Sequence, residues 1–410
     1  MYSSTAAPRI SSFMPNSGAM DAAIVISGAN FSESLSGNIV AINGVPAVVT
    51  AATATSITIK VPAHAGDGKI TVQVGGQTAS STGDFTYMYT VSTLAGNGNF
   101  GFREGSGTNA EFNAPDGLAV DGSGNIYVAD AFNNRIRKIS ASGDVSTFAG
   151  DGTHGFKDGT GTSAEFYYPN SLTLDGSGNL YVADTYNQRI RKITTSAEVS
   201  TLAGSGTFGF KDGAGNIAQF EYPIGMAIDG SGNIYVGDVD NHRVRKITAA
   251  GEVSTFAGDG NFGFKEGAVN IAEFKYPSGI AMDASGNIYV GDADNNRVRK
   301  ITTTGEVSTV AGNNIPGFND GLGTSAQFYN PGGLAVDASG NIYVADYLNN
   351  RIRKITPAGI VSTLAGDGNP GFKEGSANIA EFNYPVAVAM DGLGNIYVAD
   401  QGNYRVRKLE

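Results

Sequence analysis

The sequence repeats itself six times without an insertion or deletion. The hexapeptide Val-Ser-Thr-[Leu/Phe/Val]-Ala-Gly returns at a constant interval of 54 residues. Its copies begin at Val91, Val145, Val199, Val253, Val307 and Val361. A strict period of this length is typical of solenoids and propellers, in which one supersecondary unit recurs. The repeat also separates positions by role. Residues common to all copies belong to the scaffold, whereas positions that differ are free to build a site.

Each repeat contains four short segments typical of strands, separated by turns. In the first copy these segments are residues 117–121, 125–130, 135–139 and 145–149. Four short antiparallel strands form one blade of a β-propeller. The last repeat ends after its third strand, Arg405–Leu409, whereas residues 91–95 precede the first complete repeat. We therefore predict a six-bladed ring closed by residues 91–95, which join the last blade and remove exposed sheet edges.

Residues 91–410 resemble the NHL-repeat family. Every copy contains Gly-Asn-[Ile/Leu]-Tyr-Val-[Ala/Gly]-Asp, followed by Asn-x-Arg-[Ile/Val]-Arg-Lys. This combination is similar to the repeat that forms one blade in that family. The resemblance implies an NHL-type β-propeller with six blades, and we assign it to residues 89–410.

The first 88 residues lack the repeat and form a separate predicted domain. Short alternating apolar runs between Gly, Asn and Pro turns indicate an antiparallel β-sandwich. The runs lie at residues 24–27, 39–42, 56–60 and 70–74. Residues 8–18, 26–31 and 85–87 resemble an IPT/TIG immunoglobulin-like domain. The predicted fold is therefore all-β, with an IPT/TIG-like sandwich over residues 1–88. The resemblance implies a bacterial surface protein in which this domain is a spacer or adhesion module.

Composition excludes several classes of protein. The formal net charge of -11 would repel nucleic acids and anionic membranes. The absence of Cys excludes disulfides and thiolate metal sites. No apolar run reaches the roughly 18 residues of a membrane span, and the first residues lack the basic and apolar regions of a signal peptide. We expect no nucleic-acid partner, no membrane insertion and no signal or anchor within this chain.

Charged and apolar positions common to all copies are assigned to the scaffold. An Asp precedes an Arg by five residues in each copy, as in Asp130 and Arg135. We expect each pair to face one another across a hairpin, which would contribute roughly 0.2–1 kcal/mol. The long connection to each blade contains an acid–glycine pair (104–105 in the first copy), followed by Ala110 and Phe112. We expect the Ala and Phe to pack on the blades. The acid–glycine pair suits a tight turn or, alternatively, calcium.

The chain lacks the usual parts of a catalytic centre. Its three histidines, His64, His154 and His242, lie in the first domain, in an inter-blade loop and in a blade turn. None lies on a predicted inner strand, where a lyase-type metal centre would need several, and no Ser-His-acid set is recognised. The enzymatic alternative is a calcium-dependent lactonase-like or lyase-like propeller, with Asp116 and Asn170 on adjacent blades as ligands. We expect no cofactor and no metal.

Variable positions at one end of the ring mark the candidate site. The residue after the invariant Pro enters each inner strand and differs in every copy: Asp116, Asn170, Ile224, Ser278, Gly332 and Val386. The turn after the second strand also varies and should lie on the same face of the ring. From these two sets we select eight candidate ligand-binding residues. They are Asp116, Asn170, Ser278, Phe132, Tyr186, Asp240, Asp294 and Tyr347.

The chemistry of these eight residues predicts a binding function. Aromatic rings with carboxylate and amide acceptors suit a sugar ring, which combines an apolar face with hydroxyl donors, or a peptide with a basic residue. We predict a monomeric, non-enzymatic binding or adhesion protein whose propeller mouth recognises a surface glycan or a partner protein. The family resemblance implies a location outside the cell or on a bacterial surface. The alternative interpretation is neutral variation at exposed turns, with the propeller acting only as a scaffold.

Overall fold

The structure, a computed structural model, describes residues 6–410. Residues 1–5, which belong to the predicted first domain and to the segment in which no signal peptide is expected, lie outside the described residues. The chain forms two units: the first contains the residues up to 90 together with 393–395 and 410, and the second contains residues 91–392 and 396–409. Regular structure is almost entirely β, because every helix in the described part of the chain is a three-residue 3-10 turn.

The first unit contains eight strands. They are Arg9–Met14, Ser17–Gly18, Ala23–Ala29, Ile39–Ile42, Val45–Thr53, Ser56–Lys60, Gly68–Val74 and Gln77–Tyr87, with a 3-10 turn at Leu35–Gly37. Alternate residues such as Ile24 and Ile26 are fully buried, as expected when one face of each strand covers a core. The strand Val45–Thr53 pairs with Ile39–Ile42 through its first residues and with Ser56–Lys60 through its later residues. It therefore joins the two layers of the sandwich. The predicted sandwich is confirmed.

The second unit contains six antiparallel sheets of four strands each, and five of them gain a two-residue strand at the outer edge. Each sheet is one blade, and the blades are numbered 1 to 6 in chain order. Their inner strands are Pro115–Val120, Pro169–Leu174, Pro223–Ile228, Pro277–Met282, Pro331–Val336 and Pro385–Met390. The second strands are Ile126–Asp130, Leu180–Asp184, Ile234–Asp238, Ile288–Asp292, Ile342–Asp346 and Ile396–Asp400. Each inner strand lies beside the inner strands of two neighbouring blades, so the six strands surround a central channel.

The remaining strands complete the blades and close the ring. The third strands are Arg135–Ile139, Arg189–Ile193, Arg243–Ile247, Arg297–Ile301, Arg351–Ile355 and Arg405–Leu409. The outer strands are Asp144–Ala149, Glu198–Ala203, Val253–Ala257, Glu306–Ala311, Ile360–Ala365 and, for blade 6, Thr90–Ala95. In blade 6, Val91 lies opposite Leu409 and Ala95 lies opposite Val406. The predicted closure by the segment before the first repeat is confirmed.

Apolar clusters between neighbouring blades form the core. The cluster between blades 1 and 2 combines Tyr127 and Ile136 with Leu180 of the next blade. It also contains Ala164 and Phe166, which lie in the connection between the two blades and are fully buried. The expectation that Ala and Phe fasten the connection to the blades is confirmed.

The invariant Asp binds a different Arg from the predicted one. Asp130 lies opposite Arg135 in the strand register, but its carboxylate binds Arg137 at 2.8 Å, and both side chains are fully buried. Arg135 instead donates to the backbone oxygen of Asn133. The predicted facing positions are confirmed, but the expected ion pair is wrong, because both Arg side chains lie on one face of the strand. Only Arg137 reaches the buried turn where the backbone N–H of Asn113 holds the carboxylate.

The acid of each acid–glycine pair binds protein groups. In blades 2, 3 and 5 it is an Asp that contacts the buried Arg, as Asp158 contacts Arg191 at 2.6 Å. In blades 1, 4 and 6 it is a Glu that accepts a backbone N–H from the outer strand, as Glu266 accepts from Thr309 at 2.8 Å. These contacts tie each connection to its blade.

Candidate functional site

A cavity opens at one end of the channel, where the six inner strands begin. Its volume is about 200 Å³, which is below the roughly 300–1,000 Å³ of pockets for drug-sized ligands and suits one small ring or group. The residue after the invariant Pro lines it in every blade: Asp116, Asn170, Ile224, Ser278, Gly332 and Val386. The six positions that differ in every repeat therefore meet around one space.

A bulge at the start of each inner strand places these residues at the cavity. In blade 1, regular pairing with the second strand is interrupted between Pro115 and Leu118. Asp116 and Gly117 therefore lie outside the regular ladder, where a bulge can redirect a side chain. A Cβ atom on Gly117 would lie 2.3 Å from the backbone oxygen of Asn170. Glycine at this position allows the inner strands of blades 1 and 2 to approach closely.

Asp116 is the buried polar centre of the cavity, with only 3% of the residue exposed. Its carboxyl group accepts a hydrogen bond from Nδ2 of Asn170 at 3.0 Å, across the boundary with blade 2. The side-chain amide of Gln401, in blade 6, donates to the other oxygen. Tyr168 also forms a side-chain hydrogen bond to this group. Donors from both neighbouring blades therefore converge on one carboxyl group.

The surroundings of Asp116 alter its acidity. Burial raises its pKa to about 7, and the hydrogen bonds from Gln401 and Tyr168 oppose this effect only in part. Repulsion from Asp130 acts in the same direction as burial. The pKa of Tyr168 is also raised, first by its own burial and then by Asp116. Near neutral pH the Asp116 side chain can therefore offer a hydroxyl donor or a carboxylate acceptor.

The other blades present smaller or apolar groups to the cavity. Ile224 and Val386 supply aliphatic surface, and Gly332 has no side chain. The hydroxyl group of Ser278 donates weakly, at 3.4 Å, to a backbone oxygen of its own blade. Tyr347 lies at the mouth, and burial raises the pKa of its hydroxyl group. The cavity thus combines a polar group of residues around Asp116 with a largely apolar remainder.

The eight residues selected from the sequence occupy three kinds of position. Asp116, Asn170, Ser278 and Tyr347 line the cavity. Phe132 and Tyr186 lie beside it, and their ring centroids are 5.1 and 4.8 Å from that of Tyr168, which is itself a lining residue. The structure therefore brings six of the eight residues to the cavity or its edge.

Asp240 and Asp294 do not line the cavity. Asp294 is exposed, and its carboxylate accepts a hydrogen bond of 3.2 Å from the lining residue Asn330. Asp240 is half-buried, and burial raises its pKa against the opposing effect of His242. Asp294 therefore contacts the site indirectly, whereas Asp240 lies outside the cavity lining.

Tyr168, Asn330 and Gln401 are three of the lining residues that were not among those selected from the sequence. Tyr168 and Asn330 precede the invariant Pro, at a position that also varies between repeats but was not considered. Its residues are Ala114, Tyr168, Tyr222, Tyr276, Asn330 and Tyr384. Gln401 belongs to the variable turn of blade 6, yet its uncharged side chain did not distinguish it from neutral variation. Variation just before the Pro was the signal that would have found two of the three.

Replacing Asp116 by Asn is expected to stabilise the protein above about pH 7. The folded-state pKa of about 7 exceeds the ordinary value of 3.8, so the parent loses stability as the pH rises between these values. The amide introduced by the substitution does not titrate. The side-chain amides of Asn170 and Gln401 can rotate so that their oxygen atoms accept hydrogen bonds from it. The variant's advantage in unfolding free energy should grow to a few kcal/mol, since one pKa unit corresponds to about 1.4 kcal/mol. Denaturant unfolding at pH 5 and pH 8 measures it, and an unchanged difference would contradict the expectation.

Family models match both units of the chain. The IPT/TIG domain model matches residues 8–87. The NHL repeat model matches residues 112–139, 274–301, 328–355 and 382–409. A model described as SMP-30/gluconolactonase/LRE-like region matches residues 160–257. Within residues 6–410, no helix is long and apolar enough to span a membrane.

Two similar proteins are much longer than this chain. Protein SUPPRESSOR OF QUENCHING 1, chloroplastic, from Arabidopsis thaliana is 30% identical over 317 residues, which cover 72% of this chain and 30% of that protein. NHL repeat-containing protein 2 from Bos taurus is 30% identical over 337 residues, which cover 72% of this chain and 46% of that protein. The chain therefore matches less than half of the length of either relative.

Two solved structures share the fold at low sequence identity. An auxiliary nutrient binding protein from Bacteroides thetaiotaomicron has a TM-score of 0.62 and 19% identity, with 98% of this chain and 97% of that chain covered. A gluconolactonase from Xanthomonas campestris has a TM-score of 0.52 and 12% identity, with 78% and 88% covered. At these identities the likeness concerns the fold. The chain is thus an NHL-repeat protein that combines an IPT/TIG domain with a six-bladed β-propeller.

Proposed function

We propose that the cavity at the propeller mouth binds a carbohydrate. The observation that carries this proposal is Asp116, a buried carboxyl group that lines a cavity of about 200 Å³ together with Asn170 and Gln401. A small ligand or the end of a chain fits a cavity of this size, whereas a folded partner would rest on the rim.

The cavity lining matches the two chemical faces of a sugar. Sugar hydroxyls both donate and accept hydrogen bonds, and the side chains of Asp116, Asn170 and Gln401 offer both kinds of group. The C–H face of a sugar ring needs apolar or aromatic surface, which Ile224 and Tyr347 supply. A strongly cationic ligand is less favoured, because a carboxyl group with a pKa of about 7 carries only part of its charge near neutral pH.

The proposal includes a location outside the cell or on a bacterial surface, with the IPT/TIG domain as a spacer and the protein as a monomer. The shared fold of a protein described as an auxiliary nutrient binding protein supports the binding function. A partner protein that inserts one polar side chain into the cavity is the other occupant compatible with the same chemistry.

Replacing Asp116 by Ala is expected to weaken sugar binding by ten- to a hundredfold. At pH 8, where most of the Asp116 carboxyl group is ionised, hydrogen bonds to a charged group contribute about 1.5–3 kcal/mol, and each 1.4 kcal/mol corresponds to about tenfold in affinity. A glycan array identifies the ligand, and titration calorimetry then measures parent and variant. Asp151→Asn is the control, because it removes one charge from an exposed carboxylate outside the cavity. Equal affinities for the parent and Asp116→Ala would refute the proposal.

A lactonase-like enzyme is the second candidate function. The gluconolactonase-type match and an Asp116 pKa of about 7, which suits a general base, favour it. The residues do not fit a resident calcium ion, which takes six to eight oxygen ligands. The amide N–H groups of Asn170 and Gln401 already point at Asp116, and residues 6–410 contain no group of three His, Cys, Asp or Glu able to hold a metal. Lactone hydrolysis that disappears in Asp116→Asn would establish the enzyme.

A further inference from the structure

We infer that a row of five aromatic rings beside the mouth is an extended subsite for a linear oligosaccharide whose terminal sugar enters the cavity. We call this row the aromatic strip. It consists of Phe132, Tyr168, Tyr186, Tyr222 and Phe208. The inference rests on the proposed carbohydrate function and adds the requirement that the ligand is a chain.

The rings of the aromatic strip are in continuous contact across blades 1 to 3. Phe132 meets Tyr168 edge-on at 5.1 Å between centroids, and Tyr168 stacks on Tyr186 at 4.8 Å. Tyr186 meets Tyr222 at 5.7 Å, and Tyr222 meets Phe208 at 5.6 Å. Tyr168 also lines the cavity and hydrogen-bonds to Asp116. The strip therefore meets the polar centre of the site at its second ring, Tyr168, and the rings that follow lead away from it to Phe208.

Most of this aromatic surface is open to a ligand. Phe132 is 60% exposed, Phe208 is 53% exposed and Tyr186 is 42% exposed. Burial of apolar side chains is the usual outcome of folding, so a contiguous exposed row of this kind marks an interaction surface. No residue of the strip carries a charge, which suits a neutral polymer.

Two Tyr residues of the strip occupy an unfavourable backbone conformation. Tyr168 and Tyr222 both have φ of +53°, in the left-handed region that bulky residues rarely adopt. Side chains of the preceding blade hold them there, since their backbone N–H groups donate to Asn134 at 3.1 Å and to Gln188 at 2.7 Å. The equivalent position of blade 5 is Asn330, so the scaffold accepts a residue better suited to this conformation. Tyr276 and Tyr384, which lie outside the strip, have the same conformation, so Tyr is the common residue at this position and the strip makes use of two of its copies.

The strip does not belong to the sixfold scaffold. Gly402 occupies the position of Phe132 in blade 6, and Ala114 occupies the position of Tyr168 in blade 1. At the other end, Asp240 occupies the position of Tyr186, where a ring would connect the strip to Tyr276. The strip is therefore bounded at its two ends by small or charged residues, and one further ring, Tyr167, contacts it from the side at Tyr186, with 5.1 Å between centroids. Because the strip covers only blades 1 to 3, it suits a linear ligand better than a partner that contacts all six blades equally.

Two other kinds of polymer also stack on aromatic rows. Single-stranded nucleic acids do so on basic surfaces, which the net charge of -11 disfavours. Proline-rich peptides dock in aromatic grooves, but they carry few donors for the cavity at the end of this strip. Of these three polymers, an oligosaccharide matches both the rings, through its C–H faces, and the polar group around Asp116, through its hydroxyl groups.

The chain offers a matched control for testing the strip. Phe208 and Phe262 occupy the same position of successive repeats and are 53% and 52% exposed. Each meets the Tyr before its invariant Pro, at 5.6 Å for Phe208 and 5.5 Å for Phe262. Only Phe208 belongs to the strip. Replacing either ring by Ala removes a similar exposed surface, so a difference between the two variants reports on the strip itself.

The test measures binding of neutral linear oligosaccharides of one to six sugar units to the full chain. The series is chosen from those retained on a glycan array. We expect the parent to bind longer chains more tightly. Phe208→Ala and Phe132→Ala should each weaken the hexamer by about fivefold, the usual scale for one aromatic contact. Phe208→Ala should leave the shortest ligand unchanged, because Phe208 lies at the end of the strip away from the cavity. Phe262→Ala should match the parent at every length, and thermal melting confirms that each variant is folded.

Four other outcomes would overturn one or both proposals. Loss of binding in Asp116→Ala, with Phe208→Ala equal to Phe262→Ala, would retain the cavity and reject the strip. Strip-dependent binding that Asp116→Ala leaves intact would reject the cavity as the primary site. A parent that retains no oligosaccharide would reject both. Strip-dependent binding of a proline-rich peptide in place of sugars would assign this surface to a protein partner.

Discussion

Replacing residues 91–95 by a Gly/Ser segment of equal length is expected to abolish cooperative unfolding of the propeller. These residues form most of the outer strand of blade 6, and Val91 and Ala95 are almost fully buried. Burial of a Val side chain contributes about 1.5–3 kcal/mol, and each strand hydrogen bond adds about 0.5–1.5 kcal/mol. The combined loss approaches the total stability of a typical domain, about 5–15 kcal/mol. The strand Arg405–Leu409 would also become an exposed edge prone to aggregation.

Scanning calorimetry with light scattering measures both consequences. The control replaces the three residues 314–316 by Gly and Ser. These residues are exposed in an inter-blade connection. We expect the control to melt like the parent in a single transition. A variant at residues 91–95 that also melts like the parent would show that the ring does not depend on this closure.

Replacing Asp292 by Ala is expected to destabilise the propeller by about 3–5 kcal/mol. This is the usual cost of leaving a buried ion without its partner. The carboxylate of Asp292 binds Arg299 at 2.8 Å, and both side chains are fully buried. The acid of the nearby acid–glycine pair, Glu266, accepts the backbone N–H of Thr309 instead. The Arg299 guanidinium would therefore remain buried without a direct carboxylate contact.

Blade 2 provides the matched comparison. Arg191 binds Asp184 at 2.7 Å and also Asp158 at 2.6 Å. Asp184→Ala should therefore cost less than Asp292→Ala, because Asp158 still neutralises the buried guanidinium. Denaturant unfolding of both variants at one pH measures the difference. Equal losses in the two blades would show that the second carboxylate does not stabilise the buried Arg.

The repeat pattern alone predicted most of the fold. Side chains alternate along strands and turns recur at fixed positions, so one 54-residue period was enough to predict four strands per blade. The incomplete last repeat predicted the closing strand, because unpaired strand edges are unfavourable. The position after the invariant Pro was identified in the same way. Its six residues line one cavity in the structure.

Sequence patterns could not decide which of several equivalent side chains meet. Arg135 and Arg137 lie on one face of a strand, and only packing determined that the second reaches Asp130. Variation before the invariant Pro could have indicated Tyr168, but its left-handed backbone, held by a hydrogen bond from its N–H to Asn134 of the preceding blade, is a feature of the tertiary structure.

Asp116 shows most clearly what only the tertiary structure decided. Its carboxyl group accepts hydrogen bonds from Asn170, 54 residues away, and from Gln401, 285 residues away. The sequence determined that these positions vary, and hence that they are free to form a site. Closure of the ring brought them together. It also removed water from around the carboxyl group, and this loss of solvation raises the pKa of Asp116 to about 7.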